Sequence, residues 1–137
     1  MGKEKKAFRG YISSRPFMEE RVPQHVQNII IRDYCNKKNI HYLLSATEYA
    51  MENSTLILKQ LINDLHLVDG IVAYSVFQMP EDDTERQDIF GKILSLNKEM
   101  HFSVEDLSLH NNDTFHQIES VWQVKKTIPD CNFLQTV

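Results

Sequence analysis

Two periodicities of apolar residues alternate along the chain. Short apolar runs suited to strands are separated by segments in which apolar residues recur every three or four positions, as on one face of a helix. Residues 70–77, with the sequence Gly-Ile-Val-Ala-Tyr-Ser-Val-Phe, form the most continuous run. A run without polar alternation is typical of a strand buried on both faces. The pattern therefore predicts a sheet covered by helices, with this run as its central strand.

Four strands and four helices follow from the same pattern. The strands are predicted at residues 7–12, 40–46, 70–77 and 100–104, and residues 107–113 are predicted to be irregular. The helices are predicted to begin near Pro23, at Thr47–Glu48, at Asp82 or Asp83, and at Asp113 or Thr114. The order βαβαβαβα predicts an α/β fold in three layers, a mostly parallel sheet of four to five strands with helices on both faces, as in flavodoxin-like proteins.

Composition sets further bounds. The 137 residues are 42% hydrophobic and 25% charged, which predicts a single globular domain over residues 7–128, with a basic tail at 1–6 and a second tail at 129–137. The net charge of −4 argues against nucleic acid as the main partner. No apolar run approaches the ~20 residues of a membrane span. Two cysteines without metal-ligand spacing favour a reduced, cytoplasmic setting.

Polar residues that follow the predicted strands form the candidate site. Parallel sheets bind ligands at the carboxyl ends of their strands, which here are loops 13–24, 45–49, 75–83 and 105–113. A fork of arginine donors suits phosphate or carboxylate, so we expect an acidic ligand. Alternatively, the arginines of the first loop pair with Glu19 and Glu20. The predicted ligand-binding residues are Ser13, Arg15, Gln24, Ser45, Ser75 and Gln78.

Two residues of these loops are candidates for catalysis. Glu48 has the chemistry of a general base or of an acceptor for a sugar hydroxyl, and Ser14 of the first loop supplies a hydroxyl. The alternative for Glu48 is an acidic residue in the first turn of a helix. Glu105 and Asp106 suit either a hard cation or a plain exposed strand end. Without glycine-rich nucleotide motifs or zinc spacing of histidines, the sequence predicts no cofactor and no metal.

Several motifs resemble the catalytic domain of the serine recombinases, the resolvase and invertase family. They are Gly10-Tyr11-Ile12-Ser13-Ser14-Arg15, then Gln27, Asp33-Tyr34-Cys35 and the segment 69–75. The resemblance spans residues 9–105 and implies a resolvase-like fold. Ser13 stands where that family has arginine, Arg15 where it has the nucleophilic serine, and Gln78 within its Asp-Arg-Leu motif. The resemblance therefore also implies that recombinase activity is absent.

A second resemblance is to small bacterial proteins of sporadic carbohydrate-biosynthesis clusters. It is carried by segments 9–16, 23–28, 31–35, 44–50 and 69–72. It implies a role in surface-polysaccharide synthesis, as an accessory protein or a small enzyme, without assigning catalytic residues. The expected acidic ligand is then a sugar phosphate, a nucleotide sugar or a similar metabolite. One alternative is a non-catalytic interaction or regulatory module, a homo-oligomer that pairs through the helices containing Leu61 and Trp122. The other is a divergent DNA-processing enzyme, against which the acidic charge and the replaced motif argue.

Overall fold

The computed structural model describes residues 5–14, 22–51 and 53–127. Strands and helices alternate along these residues, and short 3₁₀ helices occupy Leu65–Leu67 and Val76–Gln78. The strands are β1 (Ala7–Ser13), β2 (His41–Glu48), β3 (Gly70–Ala73), β4 (Glu99–Phe102) and β5 (Leu107–Leu109). The helices are α1 (Gln24–Lys37), α2 (Leu56–Asn63), α3 (Asp83–Ser95) and α4 (Asn112–Thr127).

The strands form one sheet in the order β2-β1-β3-β4-β5. Every neighbouring pair is parallel except β4 and β5, which are antiparallel. The chain runs from β1 to one side of the sheet and then returns to the other, so the strand order reverses between β1 and β3. Open α/β sheets bind ligands beside such a switch point, outside the carboxyl ends of the strands.

Helices cover both faces of the sheet, as the sequence predicts. Phe8, Ile12 and Val72 pack with α1 on one face. Tyr11 and Ile71 lie on the other face, in the larger cluster with α2, α3 and α4. Successive strand residues point to opposite faces, which explains this division. All of β3 is buried, and the prediction of a central strand buried on both faces is confirmed.

Three of the predicted secondary-structure assignments differ from the structure. β3 ends at Ala73 rather than at residue 77, because the Ser75 hydroxyl accepts from the N–H of Phe77 and turns the backbone into a 3₁₀ helix. β2 continues through Glu48, which pairs with Ser13 of β1, so no helix begins at residue 47. Residues 107–109 form an edge strand instead of an irregular segment, since they pair with β4.

Helix ends follow local chemistry. The Asp82 carboxylate accepts from the N–H of Glu85 and caps α3, as predicted. At α4 the cap is Asn111, whose Oδ1 accepts from the N–H of Thr114, and not Asp113 or Thr114. Asn39 and Asn97 follow α1 and α3 with positive φ angles of 58° and 57°, a left-handed conformation that asparagine tolerates at helix C-termini. The predicted tail at 129–137 lies outside the described residues.

Candidate functional site

The Gln27 side chain from α1 joins the end of β1. Its Nε2 donates to the carbonyl oxygens of Ser13 and Val22, each at 2.8 Å. Its Oε1 accepts from the N–H of Ser13 at 3.1 Å and from Nε2 of Gln78 at 2.8 Å. The amide thus makes all four hydrogen bonds open to it, inside the protein.

The Gln78 side chain continues this connection to the end of β3. Its Oε1 accepts from the N–H of Ser75 at 3.1 Å, and the residue is as fully buried as Gln27. Two amides therefore bridge the switch point between β1 and β3. We call Ser13, Gln27, Ser75 and Gln78 the switch-point network.

The Ser13 hydroxyl is the exception in this network. The residue is fully buried, and its Oγ has no hydrogen-bond partner within the described part of the chain. Strand alternation places the side chain on the same face of β1 as Tyr11. Leaving a buried hydroxyl without a partner costs about 1–3 kcal/mol. Native proteins rarely leave a buried polar group without a partner, so this hydroxyl calls for an explanation beyond the contacts among the described residues.

Ser75 and Glu105 form the outer side of the same edge. The Ser75 hydroxyl donates to Oε2 of Glu105 at 2.7 Å, and Oε1 of Glu105 accepts from the N–H of Val76 at 2.8 Å. Asp106 instead forms an ion pair with Lys38 at 3.1 Å. The two neighbouring acids therefore bind separate partners. Within the described residues, no three His, Cys, Asp or Glu side chains converge as metal ligands.

Glu48 is fully buried and anchors the start of α2. Burial by itself raises the pKa of its carboxyl, but the hydrogen bonds that it accepts outweigh this effect and hold the pKa below its ordinary value. The charged carboxylate thus takes the place of a cap at the helix N-terminus, where the dipole favours it. The geometry accounts for Glu48 structurally, and its catalytic role stays a prediction. Its donors are Tyr11 OH at 2.8 Å, Ser54 Oγ at 2.7 Å, and the N–H groups of Ile57 and Leu58 at 3.1 Å and Tyr49 at 3.2 Å.

The other predicted residues are spread over the edge. The Ser14 hydroxyl donates to the carbonyl of Glu48 at 3.1 Å. Ser45 lies within β2, where it contacts Tyr42 OH and donates to Oδ1 of Asn28 at 2.7 Å. Gln24 is exposed at the start of α1, and Arg15 lies outside the described residues.

Of the predicted binding residues, the structure brings Ser13, Ser75 and Gln78 together. Sequence reasoning missed Gln27 as a member of the site. A signal existed, because Gln27 precedes Ile31 by four residues and therefore lies on the buried stripe of α1. A polar residue on an apolar stripe is the observation that points to a buried hydrogen-bond network.

A second buried polar cluster lies away from the switch point, between α3 and α4. The Arg86 guanidinium donates from Nε and Nη2 to the two carboxylate oxygens of Glu119, at 2.8 and 2.7 Å. Its Cζ stands 4.5 Å from the centre of the Trp122 ring. The remaining donors of Arg86 bind the carbonyls of Pro80 and Glu81 and the carboxylate of Asp83. This arginine therefore fastens α4 to the domain.

Comparisons with known proteins give one structural match. No protein-family model matches the chain, and no curated protein matches it. The fold is similar to the crystal structure of the N-terminal catalytic domain of TP901-1 integrase, with a TM-score of 0.59 over 88% of this chain and 95% of that chain. The two sequences are 10% identical, so the likeness shows the fold alone.

No helix in the described ranges is long and apolar enough to cross a membrane. The structural match confirms the expectation drawn from the serine recombinase motifs, as far as the fold is concerned. The chain has a resolvase-like α/β fold, with a five-stranded, mostly parallel sheet.

Proposed function

We propose that this protein binds the hydroxyl-bearing part of a phosphorylated sugar or a similar acidic metabolite at the switch-point network. It acts as an accessory protein or small enzyme of surface-carbohydrate biosynthesis. The observation that carries the proposal is the buried Ser13 hydroxyl, which has no partner in the described residues. It lies at the end of β1, beside the strand-order reversal at which sheets of this kind bind ligands.

The chemistry of the network supports a ligand rich in hydroxyl groups. A serine hydroxyl both donates and accepts, so it pairs with a sugar hydroxyl in either direction. Gln27 and Gln78 hold the Ser13 backbone in place from both sides of the switch point. Such a preorganised group binds a ligand without a further ordering cost. The likeness to proteins of carbohydrate-biosynthesis clusters supports the sugar class, and Arg15 remains the predicted partner of the phosphate.

Recombinase chemistry is not part of this proposal. The similar structure is the catalytic domain of an integrase, and that activity belongs to that protein. In this chain, the position aligned with the nucleophilic serine holds Arg15, and the Asp-Arg-Leu position holds Gln78. The Gln78 amide binds Gln27 and Ser75, so it serves the fold instead of a phosphate.

A ligand panel tests the proposal. The chain is titrated with sugar phosphates, nucleotide sugars, the corresponding free sugars and inorganic phosphate, and amide shifts are followed by NMR. We expect shifts at Ser13, Ser75 and Gln78 with a phosphorylated sugar, and their loss in Ser13→Ala. Removal of a hydroxyl without a partner does not lower the stability of the free protein, so lost binding cannot be attributed to unfolding.

Ser120→Ala, on the exposed side of α4, is the matched control and should bind like the wild type. Equal binding by Ser13→Ala and the wild type would overturn the assignment of the site. No response to any member of the panel would remove the proposed ligand class.

A second candidate is a non-catalytic interaction module. It is favoured by the hydrogen bonds that Gln27, Gln78 and Ser75 make with one another, because those bonds occupy groups that would otherwise bind a ligand. Light scattering of the whole chain tests this alternative. A concentration-dependent dimer, together with no amide shift for any ligand of the panel, would favour the interaction module. A monomer at every concentration would argue against it.

A further inference from the structure

A chain of hydrogen bonds crosses the α1 side of the sheet, remote from the carboxyl edge. Tyr34 OH and Nδ1 of His101 are 2.7 Å apart, and Nε2 of His101 lies 2.9 Å from Oε1 of Glu99. Oε2 of Glu99 forms an ion pair with Lys6 at 2.5 Å. These side chains connect α1, β4 and the segment that leads into β1. We call Tyr34, His101, Glu99 and Lys6 the Tyr34–Lys6 network.

The hydrogen-bond partners within the Tyr34–Lys6 network determine which of its atoms carry protons. Burial raises the pKa of the Tyr34 phenol above its ordinary value, so the hydroxyl keeps its proton and donates it to Nδ1 of His101. Nε2 then carries the imidazole proton and donates to the Glu99 carboxylate. Burial also lowers the pKa of His101, which outweighs the opposing effect of Glu99. His101 is therefore neutral in the folded protein at neutral pH.

We propose that the Tyr34–Lys6 network is a pH-dependent switch. It is intact while His101 is neutral, and protonation of His101 loosens the end of α1 and the segment before β1. Protonation places an N–H on Nδ1, directly opposite the O–H of Tyr34. Two donors cannot share one hydrogen bond, so the Tyr34 hydroxyl has to turn away. Tyr34 is only 7% exposed and packs in the apolar cluster under α1, where water cannot readily replace the lost acceptor.

The surrounding charges offer little compensation to a positive His101. Among the described residues, Glu99 is the acidic group that contacts its ring, and that carboxylate already binds Lys6. Lys38 and His110 act against the added charge. Asp106 is engaged by Lys38 at 3.1 Å, and Asp69 accepts from the N–H of Ala7 at 2.8 Å. Among the described residues, the charged and titratable groups that act on the Tyr34–Lys6 network are Cys35, Lys38, Asp69, Asp106 and His110, besides its own Lys6 and Glu99.

Two measurements on the full-length protein test this switch. The first follows the His101 ring carbons by NMR, and we expect His101 to titrate below the ordinary histidine pKa. The second is amide hydrogen exchange, corrected for its intrinsic pH dependence. As pH falls through the titration of His101, protection at Asn36, Lys37 and Lys38 should drop by about tenfold or more, while Val72 in β3 keeps its protection.

Variants decide whether His101 is the cause. His101→Asn keeps an acceptor for Tyr34 without a titrating group, so the acid-dependent loss of protection should disappear. Tyr34→Phe keeps the ring and removes the competing donor, so it should abolish the loss as well and raise the pH at which His101 titrates. Should His101→Asn fail to fold, Tyr34→Phe alone suffices. The control His66→Asn should behave like the wild type. Persistence of the loss in Tyr34→Phe, or titration of His101 at or above the ordinary histidine pKa, would overturn the proposal.

Discussion

Nε2 of Gln78 donates to Oε1 of Gln27 at 2.8 Å, and this hydrogen bond connects α1 with the turn that follows β3. The two residues are 51 positions apart in the sequence and both are fully buried. Each amide also binds backbone groups at the end of the neighbouring strand. The ends of β1 and β3 are thereby held in a fixed relation at the place where we propose a ligand binds.

Gln27→Ala should destabilise the protein by about 2–4 kcal/mol, because the backbone of Ser13 and the amide of Gln78 lose buried partners together. Urea denaturation at neutral pH measures the effect. Gln60→Ala, on the exposed side of α2, should leave the free energy of unfolding nearly unchanged. Similar losses in the two variants would contradict a special role for the buried amide.

Glu48→Gln should cost about 2–4 kcal/mol at neutral pH, since an amide nitrogen replaces a charged oxygen that accepts from several buried donors. Asp88→Asn, on the exposed side of α3, is the control and should have little effect on stability. A stability equal to that of the wild type in Glu48→Gln would show that the carboxylate does not anchor α2.

The pH dependence of stability gives a second test of Glu48. Hydrogen bonds hold the pKa of its carboxyl below its ordinary value of 4.5, against the effect of burial. The unfolded chain therefore takes up this proton at a higher pH than the folded one. The contribution of Glu48 is present above the ordinary pKa and is lost as pH falls toward the folded value. Thermal unfolding in acid should thus depend less steeply on pH in Glu48→Gln, and an equally steep dependence would argue against this linkage.

Arg86→Met and Glu119→Leu should each destabilise the protein by about 3–5 kcal/mol, because each removes the buried partner of a charged group. In Glu119→Leu, Arg86 is left with the more exposed carboxylate of Asp83. The double variant should be more stable than either single variant, since it buries no charge. A double-mutant cycle in urea measures the coupling. Lys37→Met breaks the exposed ion pair with Asp33 and should have a much smaller effect. Additive losses in the double variant would contradict a coupled pair.

Two glycines should respond to alanine in opposite directions. A Cβ on Gly70 would lie 2.4 Å from the carbonyl oxygen of Glu99, so Gly70→Ala should destabilise the sheet by about 1–3 kcal/mol. A Cβ on Gly91 would meet nothing within 4 Å, so Gly91→Ala should stabilise α3 by up to about 1 kcal/mol. Thermal unfolding of both variants tests this contrast, and stabilisation by Gly70→Ala would contradict the close approach of β3 and β4.

The layered fold follows from local patterns. Residues such as Val26 and Tyr34 mark the inner face of α1, and the unbroken apolar run after Gly70 marks a strand covered on both sides. The Asp82 cap and the asparagine that follows α1 also depend on neighbouring residues alone. Such features are visible in the sequence because their partners lie within one helical turn or one strand.

The errors share the opposite cause. Glu48 resembles a first-turn helix residue, yet it pairs with Ser13 in the sheet and caps a helix that begins eight residues later. Ser75 resembles the continuation of β3, yet its hydroxyl accepts from the N–H of Phe77 and donates to Glu105, and the backbone turns. The pairing of Glu48 with Ser13 and the contact of Ser75 with Glu105 join distant segments, which no local pattern identifies.

The α/β class, the order of the layers and the edge of the sheet at which polar residues gather can all be derived from the pattern of residues along the chain. Periodicity specifies which face of each element is buried, and burial of apolar area is the dominant favourable term in folding. The folded arrangement was needed to show that Gln27 joins Gln78, that Glu48 anchors α2 and that Ser13 keeps a buried hydroxyl without a described partner. These relationships depend on hydrogen bonds a few ångströms long, and their geometry exists only after the strands are in register.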